Sequence, residues 1–225
     1  MLKRGTGRRW WLAVAVTAFA VMAYAGFALA ASAPIVGQVD DTYTAATYTI
    51  DQGEVAQLQV TGSTHNATAR ANGPDNKPLF RSPTISGGSA GVDGTQYLSA
   101  GNYTFFCTIH PTTMQATLVV TGNGTPQARP SATAKLRTKS ISKALKGLMV
   151  QITSSAKIDG VSVTAKLGKA TIGKATASLF AGSQTVRVKL SKAGKSKLRA
   201  KNTAKVTVTA DVPFGSPAKA KANLK

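Results

Sequence analysis

The spacing of apolar and polar positions divides the chain of 225 residues into three stretches. From Trp10 to Ala30 the sequence is apolar and uncharged, with no period of two. Between residues 35 and 124, short apolar segments alternate with polar ones and are cut by turn residues. Thr42-Tyr43-Thr44, Thr47-Tyr48-Thr49-Ile50, the run with Val55, Leu58 and Val60, His65 to Ala69, Tyr103 to Cys107 and Thr117 to Thr121 read as strands. Asp51-Gln52-Gly53-Glu54, Asn72-Gly73-Pro74, Gly87-Gly88, Asp93-Gly94 and Gly122-Asn123-Gly124 read as turns, and residues 72–95 as largely loop. Many short strands in about 90 residues predict a Greek-key sandwich or barrel.

The third stretch alternates more cleanly. Val161, Val163, Ala165 and Leu167 share one face, as do Val186, Val188 and Leu190, with Arg187 and Lys189 opposite. Val206 and Val208 flank Thr207, and Leu148 to Ile152 is a further strand candidate. This is the pattern of half-buried antiparallel strands. Ser191 to Lys195 reads as a turn or short helical corner. The expectation is all-β throughout: a first sandwich over 35–124, a linker over 125–134, a second β-sandwich over 135–215 and a disordered Ala/Lys-rich tail over 216–225.

Charge sharpens that division. The net +20 suggests a binder of polyanions until it is located. Residues 31–126 carry three basic against six acidic side chains, whereas residues 127–225 carry 21 Lys/Arg against Asp159 and Asp211. The lysines of the second half alternate with core positions, which is how a solvated strand face reads. The functional alternative is adhesion to an anionic wall polymer, lipid headgroups or an acidic redox partner. Nucleic acid is not expected, because that half has no aromatic-basic platform.

The N-terminal apolar run is preceded by Lys3, Arg4, Arg8 and Arg9 and ends in Ala28-Leu29-Ala30, a small-x-small site. Residues 1–30 therefore read as a signal peptide cleaved before Ala31, or as an uncleaved anchor, since the run is long enough to span a bilayer. Either way the remainder is expected outside the cytoplasmic membrane: extracellular, in the cell wall or on the membrane's outer face.

In that setting a single cysteine calls for an explanation, because no intramolecular disulfide is available. Cys107 lies three residues before His110 and seven before Met114, and the only other histidine is His65. Two imidazoles, a thiolate and a weak axial thioether are the donor set of a blue-copper site. One loop can supply Cys107, His110 and Met114, leaving His65 to complete the set from elsewhere. Asn66 beside it is placed to pin the ligand loop by hydrogen bonds. Zinc is the competing metal, although structural zinc favours several Cys or His. A Cys/His nucleophile pair is the non-metal alternative, without a third partner or an oxyanion device.

Leu98-Ser99-Ala100-Gly101-Asn102-Tyr103-Thr104-Phe105-Phe106-Cys107-Thr108-Ile109-His110-Pro111 resembles the G-x-Y-x-F-x-C-x-x-H-P signature of the cupredoxins, the plastocyanin/azurin-like blue copper proteins. Thr64-His65-Asn66 is similar to that family's first-ligand His-Asn pair, and Leu79 to Pro83 to a phenylalanine-containing stretch between the two. The resemblance covers residues 35–122. It implies a Greek-key cupredoxin sandwich and one type 1 copper held by His65, Cys107, His110 and Met114. It also implies an electron path through the His110 edge to donor and acceptor proteins. Three residues separate His110 from Met114, an interval that varies among related loops. Ile141 to Leu148 and Val188 to Gly194 resemble the lysine-rich Ig-like β-sandwich modules of actinobacterial surface proteins. The function expected is one-electron transfer at the cell surface and not catalysis, since no histidine is left for further copper. The alternatives are copper binding and delivery, or a structural surface module.

Overall fold

The computed structural model describes residues 34–38 and 40–225. The expected export segment, 1–30, lies outside the described residues. Among the described residues, no helix is long and apolar enough to cross a membrane.

The first region contains β1 (Ile35–Gly37), β2 (Thr47–Gln52), β3 (Ala56–Val60), β4 (Thr68–Ala69), β5 (Gly88–Val92), β6 (Gly101–Phe106) and β7 (Gln115–Gly124). They form two sheets, ordered β1-β3-β5 and β2-β7-β6-β4. Two pairings are parallel, β1 with β3 and β2 with β7; the others are antiparallel. Alternation explains the strands. Ala56, Leu58 and Val60 of β3 point inward with Gln57 and Gln59 outward, and Ala116, Leu118 and Val120 of β7 do the same. Side chains of both sheets, with Phe80 from the segment between β4 and β5, make one core that includes Leu58, Phe105, Leu118, Cys107 and Met114.

The second region contains β8 (Ala132–Leu136), α1 (Ile141–Lys146), β9 (Leu148–Ser154), β10 (Ile158–Leu167), β11 (Ala170–Leu179), β12 (Gly182–Leu190), α2 (Lys192–Arg199), β13 (Ala204–Asp211) and β14 (Ala218–Leu224). Its strands are antiparallel and ordered β14-β13-β10-β11-β12-β9-β8. Only Gly173↔Leu190 and Lys174↔Lys189 join β11 to β12. The two ends of the order also meet, since Lys225 N donates to Lys139 O and Ile141 N to Lys225 O (3.1 and 2.9 Å). A separate all-aliphatic core fills this region.

Several expectations are corrected. The tail is not disordered: β14 pairs with β13 from Ala218↔Ala210 to Leu224↔Ala204. Its Ala-Lys-Ala-Lys sequence is a period-2 pattern whose inward side chains are merely small, so composition hid it. The outward Lys219 and Lys221 keep the other face of the strand in solvent. The second region's first strand begins at Ala132, inside the expected linker. The 72–95 loop contains β5, whose Gly88-Ser89-Ala90-Gly91-Val92 sequence has little strand propensity and is held by pairing with β3. Tyr43 makes only an isolated bridge, with Gly37, and the strand expected from His65 shrinks to Thr68–Ala69. Ser191 begins a full helix: its hydroxyl accepts from Gly194 N and caps α2.

The two cores belong to one compact unit. The residues between them are fastened at both sides, with Gln127 N donating to Gln96 O (2.8 Å) and Arg129 Nη1 to Phe214 O (3.2 Å). Phe214, between β13 and β14, is a wedge driven into the first region. Its ring lies 5.9 Å from the Tyr97 ring and 4.3 Å beneath the Arg81 guanidinium. Its N–H donates to Asp75 Oδ2 at 3.1 Å. Gly94 makes room for it: a Cβ there, at φ +104°, would lie 2.4 Å from Leu79 O and 2.8 Å from the Phe214 ring.

Candidate metal centre

The loop between β6 and β7 is closed by its own backbone. Phe106 pairs with Gln115, and beyond that rung Cys107 N donates to Met114 O (3.1 Å) and Met114 N to His110 O (3.0 Å). The Gln115 side chain donates to Pro111 O and Thr112 O at 3.0 and 3.1 Å, fastening the outer arm. Phe105, fully buried, anchors the strand that carries Cys107 by packing on Tyr43, Tyr48 and Phe80. His65 arrives from the other side of the fold. Its backbone makes a two-bond bridge with Ile85 (2.9 and 3.0 Å).

One ligand atom from each of His65, Cys107 and His110 lies within 4.8 Å of the other two. Cys107 Sγ is 3.9 Å from His110 Nδ1, and the two imidazole ring centres are 5.2 Å apart. An ion about 2.0 Å from a nitrogen and about 2.3 Å from a thiolate sulfur holds those two atoms roughly 3.5–4 Å apart. Cys107 and His65 are fully buried, while the His110 side chain is 23% exposed. A thiol so buried is not presented to a substrate, which counts against the nucleophile alternative. Met114 is also fully buried, with its backbone closing the loop.

The protonation of His65 follows from its partners. Nε2 is 2.7 Å from Gln38 O, a carbonyl that can only accept, so Nε2 carries the proton. In the neutral ring Nδ1 is then a bare lone pair. It is buried and has no hydrogen-bond partner among the described residues. An unsatisfied buried acceptor is costly, and a bound cation relieves that cost. The residues present therefore fit a metal ion with soft and imidazole donors.

Asn66 bridges two segments. Its Oδ1 accepts from Thr108 N (3.0 Å), and its Nδ2 donates to Thr108 Oγ1 (2.7 Å) and Thr84 Oγ1 (2.9 Å). It thereby ties the residue after His65 to the residue after Cys107.

Four contributors were not legible beforehand. Gln38 acts through its backbone carbonyl, which no side-chain motif encodes. Gly37 leaves room for the His65 ring, since a Cβ there would lie 2.9 Å from His65 Cδ2. Tyr43 donates to Asn66 O at 2.6 Å. Burial pushes its phenol well above the ordinary value, with Cys107 and Tyr48 adding to the shift, so it stays a neutral donor. Asp41 places Oδ1 3.5 Å from His110 Nε2 and 4.0 Å from His65 Nε2, on the outer side of both rings. Its signal was a carboxylate next to Asp40, which reads as a turn.

No protein-family model matches the chain, and no curated protein matches it. Solved structures that are similar include amicyanin from Paracoccus versutus, at 22% identity over 39% of this chain and 80% of that one, with a TM-score of 0.31. A reduced copper(I) form of an amicyanin variant at pH 4 is 23% identical over 41% and 87%, with a TM-score of 0.32. A second variant in the copper(I) state is 21% identical over 39% and 81%, with a TM-score of 0.31.

Proposed function

We propose that this chain is an exported type 1 copper protein that carries single electrons at the cell surface. The observation that carries the reading is the bare, buried Nδ1 of His65, next to a buried thiol and a second imidazole. In this reading His65, Cys107 and His110 would hold one copper ion, and the buried Met114 would add a thioether, a soft donor that favours copper over zinc. Bound copper supplies the one-electron couple.

The protein's part is to hold the donors still. Gln38 fixes the His65 tautomer, and Asn66 joins the two ligand-bearing segments. The backbone bonds of Met114 keep the loop closed. The His110 edge, where Ile109 is 46% exposed, would give electrons a way to donor and acceptor proteins. The chain is a carrier and not an enzyme. Its basic second region, read as an Ig-like surface module, meets anionic material at the cell surface.

The test is Cu(II) addition to the purified protein, followed by optical and EPR spectra. An intense blue absorption with narrow copper hyperfine splitting is expected, and a colourless product refutes the reading. Reversible one-electron voltammetry is expected of a carrier. Irreversible redox with ready copper transfer to an acceptor would instead mark a copper-delivery protein.

A further inference from the structure

The second region contains a cavity of about 260 Å³ remote in sequence from the metal-ligand loop, lined by Arg137, Thr138, Lys143, Lys146, Met149 and Arg187 together with Gly147. Four of these side chains are cationic and none is acidic. Strand register brings them together. Met149 on β9 lies directly opposite Arg187 on β12, and Arg137 N donates to Met149 O at 2.8 Å. The two arginines therefore flank an exposed methionine floor on one outer face. Lys143 and Lys146, three apart on α1, supply the wall.

The arginines are held in place. Arg187 Nη2 donates to Lys146 O, and Arg137 Nη2 donates to Gln151 Oε1, which leaves their other N–H groups free to serve a ligand. Gly147, at φ +139°, lets the Arg187 side chain cross the end of α1, since a Cβ there would lie 2.6 Å from Arg187 Nε. Four like charges around one cavity repel one another, and no carboxylate lining it offsets them. Guanidinium forks beside ammonium groups match phosphate oxygens.

We infer that this cavity is a phosphate-binding site and that its occupant is a chain polymer of linked phosphates. The charge pattern favours a chain over a single ion. Lys135 lies two residues before Arg137 on β8 and Lys189 two after Arg187 on β12, so basic exposed positions continue along the same face on both sides of the cavity. The inference deepens the reading of the second region as the anion-facing part, and it is independent of copper loading.

The test measures binding of labelled polyphosphate to the full chain at fixed ionic strength, with Lys143→Ala/Lys146→Ala and, separately, Arg137→Gln. Lys166→Ala/Lys169→Ala removes two charges from the exposed β10–β11 hairpin, away from β8 and β9 in the strand order, and serves as the control. The double pocket variant is expected to bind about tenfold more weakly and the control within about twofold of the parent. Arg137→Gln is expected to weaken binding by about threefold or more. Equal losses in pocket and control variants would reduce the effect to net charge and overturn the site. Absence of polyphosphate binding by the parent would overturn both the site and the anion-facing reading. Inorganic phosphate, phosphatidylglycerol vesicles and single-stranded DNA are run in parallel. Binding of any of them as tight as that of polyphosphate overturns the polymer assignment.

Discussion

The two regions are both β, yet they spend their residues differently. The first gathers its chemistry on segments that interrupt the strands: His65 on an isolated bridge, Cys107 to Met114 in a closed loop, Gln38 and Asp41 in the turn after β1. Its strands other than β7 are short, and two pairings are parallel. The second keeps its strands long and its core purely aliphatic, and places its charge on outward strand and helix positions. A site that must hold a few donors closely is built from loops pinned by hydrogen bonds. A surface that meets a diffuse charged partner needs only a rigid sheet and outward side chains.

The largest effect that tests this contrast is Cys107→Ala. It is expected to abolish the blue absorption on Cu(II) addition while leaving polyphosphate binding unchanged; loss of both would tie the regions functionally.

Gly94→Ala follows, since a methyl there meets Leu79 O, the Phe80 backbone and Phe214 at a positive φ. A loss of about 3 kcal/mol or more is expected in denaturant unfolding. Phe214→Ala removes the wedge. It should cost about 2 kcal/mol and split one thermal transition into two. A single unshifted transition would mean that the regions are joined by other contacts.

Asn66→Ala leaves Thr108 N without its side-chain acceptor. It should lower stability by about 1–2 kcal/mol and weaken copper binding by about tenfold or more, read by competition with a chelator.

The smallest effect belongs to Asp159. Its carboxyl lies below the ordinary 3.8 because the Ser178 and Lys157 side chains hydrogen-bond it, Ser178 most strongly. A depressed pKa contributes stability above the unfolded value and loses it as pH falls through the folded one. The melting temperature of the parent should therefore fall slightly faster on acidification below about pH 4 than that of Asp159→Asn.

The ease of reading the sequence follows the same divide. Val161 to Leu167 and Val186 to Leu190 announced their strands, because large aliphatics at period two have one explanation. Ala218 to Leu224 kept the same period with side chains too small to register. β5 had little propensity to read, since its pairing with β3 and the single buried Val92 hold it. At the candidate metal centre, His65, Cys107 and His110 stood out by rarity and spacing, and the structure brings them together. Gln38, Gly37 and Tyr43 did not stand out, because a carbonyl, a missing Cβ and a buried phenol acquire meaning only from a neighbour distant in sequence.

The Phe214 wedge has a consequence for how the protein would work on a surface. A flexible tether raises local concentration and leaves orientation to chance. A bracket does the reverse. Phe214 seated between Tyr97 and Arg81, and connecting residues bonded at both ends, oppose a swivel between the regions. Were the basic face to dock as proposed, those contacts would set the angle at which the loop from Cys107 to Met114 is presented. Which neighbours it can reach is then a matter of aim.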